Sequence, residues 1–291
     1  MTTHTEAEIS SQPACWRRAV ESGPVAALPR PGERVAVVGC GTSWFIAMAY
    51  AALRERAGHG ETDAFAASEF PAGRRYDRVL ALSRSGTTTE VLELLSQLAG
   101  TPTTAVTADP DTPIMTAADE VVVLDYADER SVVQTRFATT QLALLRAALG
   151  EDLTRAIADA EEAVAAPLPS ELVEAEQFSF LGTGWSVGLA LEAALKMREA
   201  SRSWTEAYPA MEYRHGPISI AAPGRVTWLL GSAPEGLRAQ VEATGGTFVE
   251  SRLDPMAELI RAQRVAVARA LALGLDPDEP MHLTRSVILS P

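Results

Sequence analysis

Two short stretches of this 291-residue sequence combine residue types that could do chemistry together. The first runs from Ser83 to Thr88 and directly follows the apolar run Val79–Leu82. Hydroxyl side chains, Gly86 and the start of a helix offer N–H and O–H donors and a partial positive charge, so this stretch predicts a phosphate site. An ordinary N-cap is the alternative, but a cap needs one hydroxyl, and five of residues 83–89 carry one.

The second stretch predicts an acid/base centre. It begins at Glu192 in a helical pattern, ends at Glu199, and is followed by His215-Gly216-Pro217. A carboxylate and an imidazole are the groups that move protons near neutral pH. A solvated helix glutamate and a structural turn histidine are the alternatives. Lys196 lies one turn before Glu199 on the same helix face, where it could orient that carboxylate, stabilise a negatively charged intermediate, or be an ordinary surface lysine.

Composition limits the classes of partner. Apolar residues make up 47% and charged residues 22% of the chain, which is typical of a soluble globular protein. The net charge of −13 argues against nucleic acids and anionic membranes as partners. An anionic ligand would therefore have to be held by local donors.

Other features bear on the compartment and on cofactors. Two cysteines are too few for a disulfide framework, and we find neither a signal-peptide core nor a bilayer-spanning run, so we predict a cytoplasmic protein. Gly39-Cys40-Gly41 lacks the third glycine and the distal acidic residue of a dinucleotide fingerprint. The remaining histidines, His4, His59 and His282, lack ligand-like spacing. We expect neither a metal nor a cofactor.

Strand and helix patterns alternate along the chain, which predicts parallel sheets covered by helices on both faces. The segment 178–186 repeats the pattern of 35–43, with Gly182, Gly184 and Ser186 matching Gly39, Gly41 and Ser43. We interpret this as an internal duplication of an α/β domain. Because ligands bind beyond the carboxyl ends of parallel strands, Ser43 and Ser83 are well placed for binding.

The resulting boundaries are as follows. Residues 1–30 form an N-terminal helical segment, with a helix over 16–28 and loose packing over 1–14. The first α/β domain covers 31–150 and holds the phosphate loop, and a linker helix covers 151–175. The second α/β domain covers 176–280 and holds Glu199 and His215, and 281–291 form a tail.

Several motifs together resemble tandem SIS (sugar isomerase) domains. They are Gly41-Thr42-Ser43, the stretch 83–88, Ala194 to Glu199, Glu206-Ala207-Tyr208 and Glu212 to Pro217. The pattern is similar to the isomerase half of glucosamine-6-phosphate synthase and to aminosugar-phosphate deaminase/isomerases. The resemblance implies two flavodoxin-like domains in tandem, a phosphorylated sugar as substrate, and a homodimer or dimer of dimers.

The resemblance also implies roles for single residues. Ser43, Ser83, Ser85 and Thr88 would hold the sugar phosphate, with Gly41 and Thr42 in the neighbouring turn. Glu199 would shuttle a proton between C1 and C2, and His215, often supplied by the neighbouring subunit, would assist ring opening.

Three positions depart from the family's pattern. Arg84 replaces a glutamine and could add a charged phosphate contact, and Gln134 replaces a serine that touches the sugar. Arg285 stands where the synthase has a Schiff-base lysine, and a guanidinium stays protonated, so imine chemistry through the tail is not expected. These changes favour sugar breakdown over synthesis.

The sequence thus predicts an enzyme, an aminosugar-phosphate deaminase/isomerase acting on glucosamine- or galactosamine-6-phosphate. A fructosamine-6-phosphate deglycase and a plain aldose–ketose phosphate isomerase are alternatives that use the same proton shuttle. A regulatory sugar-phosphate-binding protein is the alternative from another class, disfavoured because residues 1–30 are too short for a DNA-binding helix-turn-helix.

Overall fold

The computed structural model describes residues 2–23 and 25–289, and these form two compact units. The first unit comprises residues 14–23, 25–129, 136–153 and 284–289. The second unit comprises residues 2–13, 130–135 and 154–283. Each unit is therefore assembled from separate segments of the chain. Of the predicted terminal segments, Met1, Pro24, Ser290 and Pro291 lie outside the described residues.

The described part of the chain contains eleven α-helices. In chain order they are α1 (His4–Ser10), α2 (Gln12–Glu21), α3 (Thr42–Arg56), α4 (Thr89–Gln97), α5 (Ile114–Ala117), α6 (Arg136–Ala148), α7 (Thr154–Ala165), α8 (Ser170–Glu174), α9 (Ser186–Ser201), α10 (Leu237–Glu242) and α11 (Pro255–Ala272).

The first unit is built on a five-stranded parallel sheet. Its strands are β1 (Val35–Gly39), β2 (Thr62–Ala66), β3 (Arg78–Leu82), β4 (Thr103–Thr107) and β5 (Glu120–Val123), in the order β2-β1-β3-β4-β5. Every residue of β1, β3 and β4 is buried, as expected for apolar strands covered on both faces. Val79 and Ala81 of β3 pack against Val91 of α4 and Ile114 of α5. Full burial of a valine or isoleucine side chain contributes roughly 1.5–3 kcal/mol.

The second unit has a four-stranded parallel sheet. Its strands are β6 (Gln177–Gly182), β7 (Thr205–Pro209), β8 (Arg225–Leu230) and β9 (Thr247–Val249), in the order β7-β6-β8-β9. This order repeats that of the first four strands of the other sheet. Phe180 stacks on Trp228 with ring centroids 5.8 Å apart, and α9 and α11 pack together. The predicted α/β fold with two parallel sheets flanked by helices is confirmed.

The N-terminal segment differs from the prediction. Residues 4–10 form α1 instead of packing loosely, because Thr3 and Glu6 make a reciprocal capping box. The carboxylate of Asp278 also accepts hydrogen bonds from the backbone N–H groups of His4 and Thr5, at 2.8 and 2.7 Å. The following helix ends at Glu21 and not at Leu28, close to Gly23, whose φ is +71°.

Candidate functional site

The turn after β3 is closed by its own hydroxyl groups. The Oγ atom of Ser83 accepts a hydrogen bond from the backbone N–H of Gly86 at 3.2 Å, and that of Ser85 accepts one from the N–H of Thr87 at 3.3 Å. Gly86 has a φ of +63°, and a Cβ atom at this position would lie 2.1 Å from Oγ1 of Thr112. Only glycine fits here, for reasons of both space and backbone conformation.

This turn leads into the N-terminus of α4, where free N–H groups and the helix dipole favour an anion. Thr88 stands at the N-cap position, yet its side chain makes no capping hydrogen bond. Its Oγ1 atom lies 3.5 Å from Oγ of Ser85 instead. An ordinary cap therefore does not explain Thr88, and its hydroxyl is placed beside a second one.

The charge of Arg84 is balanced inside the first unit. Its Nη1 lies 3.4 Å from Oε2 of Glu129, and both side chains are almost fully buried. The guanidinium of Arg285 donates to the backbone carbonyl of Glu129 and pairs with the carboxylate of Asp128. Each of the two arginines is thus paired with a carboxylate. The other hydrogen-bond donors at this turn are hydroxyl groups and backbone N–H groups.

The glycine-rich turn after β1 lies on the same edge of the sheet. β1 and β3 are adjacent parallel strands, with Val38 opposite Ala81, so the segments that follow them emerge side by side. Gly41 has a φ of +53°, and Thr42 and Ser43 are buried at the start of α3. A Cβ atom on Gly39 would lie 2.7 Å from Cβ of Ser43, so the strand end and the helix start are in close contact.

In the second unit, α9 carries a lysine between two glutamates. Nζ of Lys196 lies 3.6 Å from Oε1 of Glu192 and is hydrogen-bonded to the carboxylate of Glu199. The side chains of Lys196 and Glu192 are 2% and 0% exposed, whereas that of Glu199 is 17% exposed. Glu192, Lys196 and Glu199 thus form a row on α9 in which the first two side chains are buried and the carboxylate of Glu199 is accessible to solvent.

Glu192 begins the stretch that predicts an acid/base centre, but the sequence pattern gives it no role of its own. Its position four residues before Lys196 is the spacing at which helical side chains meet, and that spacing could have indicated the pair. A lysine buried this deeply needs carboxylate partners, because an unpaired charge away from water is very costly.

Gln134 lies in the segment 130–135, which a buried carboxylate of α1 holds in place. Oε1 of Glu8 accepts a hydrogen bond from the backbone N–H of Arg130 at 2.6 Å, and its other oxygen accepts one from the hydroxyl of Ser131. Among the residues that the structure describes, Oε1 of Gln134 is buried and has no hydrogen-bond partner. That acceptor could therefore serve a donor of another molecule.

His215 ends a 3₁₀ turn, Glu212–His215, and is exposed. The turn is anchored by Tyr213, whose ring is buried and whose hydroxyl lies 3.1 Å from Oγ1 of Thr227. The next residue, Gly216, has a φ of +136°, which reverses the chain before Pro217. His215 is therefore exposed to solvent on a turn that the buried Tyr213 holds in place.

The predicted site residues divide between the units. The first unit holds Gly41, Thr42, Ser43, Ser83, Arg84, Ser85, Thr88 and Arg285. The second unit holds Gln134, Lys196, Glu199 and His215. Within the second unit, Lys196 and Glu199 are in direct contact. In the described residues, 2–23 and 25–289, neither Gln134 nor His215 forms a hydrogen bond or ion pair with Lys196 or Glu199. That the two sets share one pocket stays a prediction.

Membrane-spanning helices and metal-binding clusters are both absent from the described part of the chain. No helix within it is long and apolar enough to cross a membrane. Nor do its His, Cys, Asp and Glu residues gather in any group of three or more that could hold a metal ion. Burial raises the pKa of the Cys40 thiol, next to the glycine-rich turn, to about 11, so this thiol is a poor nucleophile at neutral pH.

Comparisons with known proteins show which proteins this chain resembles. The family model described as SIS domain matches residues 30–150. The isomerizing glutamine–fructose-6-phosphate aminotransferase of Sulfurisphaera tokodaii is 26% identical, over 88% of this chain and 50% of its own length. The chain spans about half the length of the curated relatives it matches.

Two solved structures can be superposed on nearly the whole chain. The glucosamine-6-phosphate deaminase of Thermotoga maritima is 27% identical with a TM-score of 0.82, covering 99% of this chain and 100% of that one. The C-terminal domain of glucosamine-fructose-6-phosphate aminotransferase from Francisella tularensis is 21% identical with the same TM-score, covering 96% and 99%, and shares the fold.

These matches correct one expectation. The sequence pattern predicts two SIS domains in tandem, whereas the family model matches a single segment, residues 30–150. The second sheet repeats the strand order of the first, but the segment after β8, Gly231-Ser232-Ala233-Pro234, lacks the hydroxyl-rich sequence that follows β3 at 83–88. Residues 30–150 therefore match the SIS domain model, and the whole chain is similar to glucosamine-6-phosphate deaminase and to about half of glutamine–fructose-6-phosphate aminotransferase.

Proposed function

We propose that this protein is an aminosugar-phosphate deaminase/isomerase that acts on glucosamine-6-phosphate or galactosamine-6-phosphate by proton transfer between C1 and C2. The observation that carries the proposal is the row of Glu192, Lys196 and Glu199 on α9, in which a buried ammonium holds a partly exposed carboxylate. Such a carboxylate is fixed in position and can be reached by a substrate, as a general base requires.

The reaction follows from that carboxylate. In the open-chain aldehyde form, Glu199 removes the proton on C2, and the electron pair moves onto O1 to give an enol-amine. Returning the proton to C1 produces an imine at C2. Water adds to the imine, and the products are ketose phosphate and ammonia. The ammonium of Lys196 stabilises negative charge that develops beside the carboxylate.

The phosphate is held by the first unit. Its dianion accepts hydrogen bonds from the hydroxyls of Ser83, Ser85 and Thr88 and from N–H groups at the start of α4. Because the charge of Arg84 is balanced by Glu129, hydrogen bonds and the helix dipole supply the affinity. Ser43, on the neighbouring turn, contacts the sugar side of the ligand.

Ring opening is assigned to His215. Its imidazole is exposed, and it can act in the site of a neighbouring subunit of a homodimer or dimer of dimers. Gln134 contacts the sugar through its amide oxygen, which has no hydrogen-bond partner in the described chain. Discrimination between the two epimers is assigned to this contact.

Similarity to the Thermotoga glucosamine-6-phosphate deaminase supports deamination, because this chain is 27% identical to it over 99% of its own length. The deciding experiment incubates the purified protein with glucosamine- and galactosamine-6-phosphate and follows ammonia and ketose phosphate. Ammonia release that is lost in Glu199→Gln supports the proposal, and no turnover on any hexosamine phosphate rejects it.

The same assay separates the alternatives. Release of an amino acid from a phosphorylated Amadori compound would select the deglycase. Interconversion of aldose and ketose phosphates without ammonia would select plain isomerisation. Sugar-phosphate binding without turnover, with the biological role intact in Glu199→Gln, would select a regulatory binding protein.

A further inference from the structure

The C-terminal segment 284–289, which we name the C-terminal strap, lies on the turn after β3 within the first unit. Oγ of Ser286 lies 3.1 Å from Oγ of Ser85 and 3.4 Å from Oγ1 of Thr88. The backbone carbonyl of Val287 accepts a hydrogen bond from the N–H of Thr89 at 3.2 Å. The strap therefore places one hydroxyl among those assigned to the phosphate and takes one donor at the start of α4.

The three hydroxyl oxygens form a nearly regular triangle. Its sides are 3.1 Å between Ser286 and Ser85, 3.4 Å between Ser286 and Thr88, and 3.5 Å between Ser85 and Thr88. An acceptor oxygen roughly 2 Å above the plane of this triangle would lie about 2.8 Å from all three, which is the usual O–H···O distance. The Ser85 hydroxyl donates to Ser286 in this structure, and once that O–H rotates toward a ligand, three O–H donors can converge on one phosphate oxygen.

Polar contacts fix the strap where it is. Nη2 of Arg84 donates to the carbonyl of Arg285 at 3.2 Å, while the guanidinium of Arg285 pairs with Asp128 and donates to the carbonyl of Glu129. The backbone N–H of Leu289 donates to Oγ1 of Thr89 at 2.9 Å. The side chains of Val287, Ile288 and Leu289 are more than half exposed, so burial of apolar surface contributes little to this docking.

We propose that Ser286 is a further phosphate-binding residue and that the C-terminal strap completes the phosphate site. Arg84 and Arg285, two of the positions that depart from the family pattern, then act as positioning residues that hold the strap in place. The inference rests on the proposed sugar-phosphate function and adds to it a donor more than 190 residues distant in sequence from the hydroxyls it joins.

The test measures the Kd of inorganic phosphate and of glucosamine-6-phosphate by calorimetry, using the full chain. Ser286→Ala should weaken both ligands about tenfold, because a hydrogen bond to a charged group is lost. Ser286→Thr, which keeps the hydroxyl, should bind within about threefold of the wild type. Ser96→Ala makes the same chemical change near the other end of α4 and should leave binding unchanged.

A chain ended at Leu283 provides the second measurement. It should bind both ligands at least tenfold more weakly than the full chain, because it lacks the strap. Tighter binding by the shortened chain would overturn the inference, since the strap would then compete with the ligand. Equal binding by Ser286→Ala and the wild type would overturn it too, while leaving the proposed function intact. No binding by the wild type would overturn both.

Discussion

The guanidinium of Arg84 and the carboxylate of Glu129 form an ion pair in which neither side chain is more than 2% exposed. Glu129 also accepts a hydrogen bond from the backbone N–H of Arg136 at 2.8 Å. Replacing Glu129 by Ala would leave the charge of Arg84 buried without this carboxylate. We expect the free energy of unfolding to fall by about 3–5 kcal/mol, measured by urea denaturation.

An exposed pair in the same unit supplies the control for Glu129→Ala. Arg34 and Glu61 are 3.1 Å apart with side chains 40% and 60% exposed. Glu61→Ala should cost less than about 1 kcal/mol, because water screens that pair. A Glu129→Ala variant as stable as Glu61→Ala would show that the buried pair adds nothing to the stability of the fold.

Glu199→Gln tests the assignment of the general base. The amide keeps the size of the side chain but cannot take a proton, so the proposed deaminase should lose about 10²–10⁴-fold in kcat with little change in KM. Initial rates of ammonia release measure both constants. Glu242→Gln changes an exposed glutamate on α10 and should leave the rate unaltered. Equal kcat values for Glu199→Gln and the wild type would remove Glu199 from the mechanism.

Gly86→Ala tests whether space and backbone conformation fix the phosphate loop. The new methyl group would meet Oγ1 of Thr112 at 2.1 Å in a backbone with φ of +63°. The backbone alone costs about 1–2 kcal/mol, and the clash adds to it. We expect a lower Tm and loss of phosphate binding, both measured by thermal shift with and without phosphate.

Gly58→Ala separates the two causes. Gly58 has a φ of +73°, but a Cβ atom there would have no neighbour within 4 Å. This variant should show only the cost of the backbone conformation and should bind phosphate normally. If Gly58→Ala and Gly86→Ala lowered the Tm equally, the contact with Thr112 would have no energetic role.

Asp278→Ala tests the link between α1 and the rest of its unit as a function of pH. Burial raises the pKa of Asp278, but hydrogen bonds from Thr5 and from the backbone N–H of His4 outweigh it and hold that pKa below its usual value. The folded state therefore favours the carboxylate. Its contribution to stability is present above a pH of about 3.9, the usual pKa, and is lost as the pH falls through the lower folded pKa.

The measurement is the difference in unfolding free energy between wild type and Asp278→Ala, from urea denaturation between pH 7 and pH 3. We expect the wild type to be more stable at pH 7 and the difference to shrink on acidification below about pH 4. A difference that stays constant over this range would mean that the charge of Asp278 does not contribute.

Local sequence was sufficient for strand β3 and for the glycine of the turn that follows it. The apolar run Val79–Leu82 is a fully buried strand, and the glycine at position 86 stands where only glycine fits. The strand follows from a continuous apolar run, and the glycine follows from the positive φ of the turn. The N-terminal helix was missed because its anchor, Asp278, lies more than 270 residues away.

By itself, the sequence determined which residue types stand at the carboxyl ends of β1 and β3, and that Lys196 and Glu199 share a helix face. Only the tertiary structure decided that the charge of Arg84 is balanced by Glu129, and that Ser286 lies among the hydroxyls of the phosphate turn. These partners are 45 and 201 residues apart. Such pairings are set by the packing of the whole unit, and no local spacing encodes them, because backbone preferences act only between near neighbours.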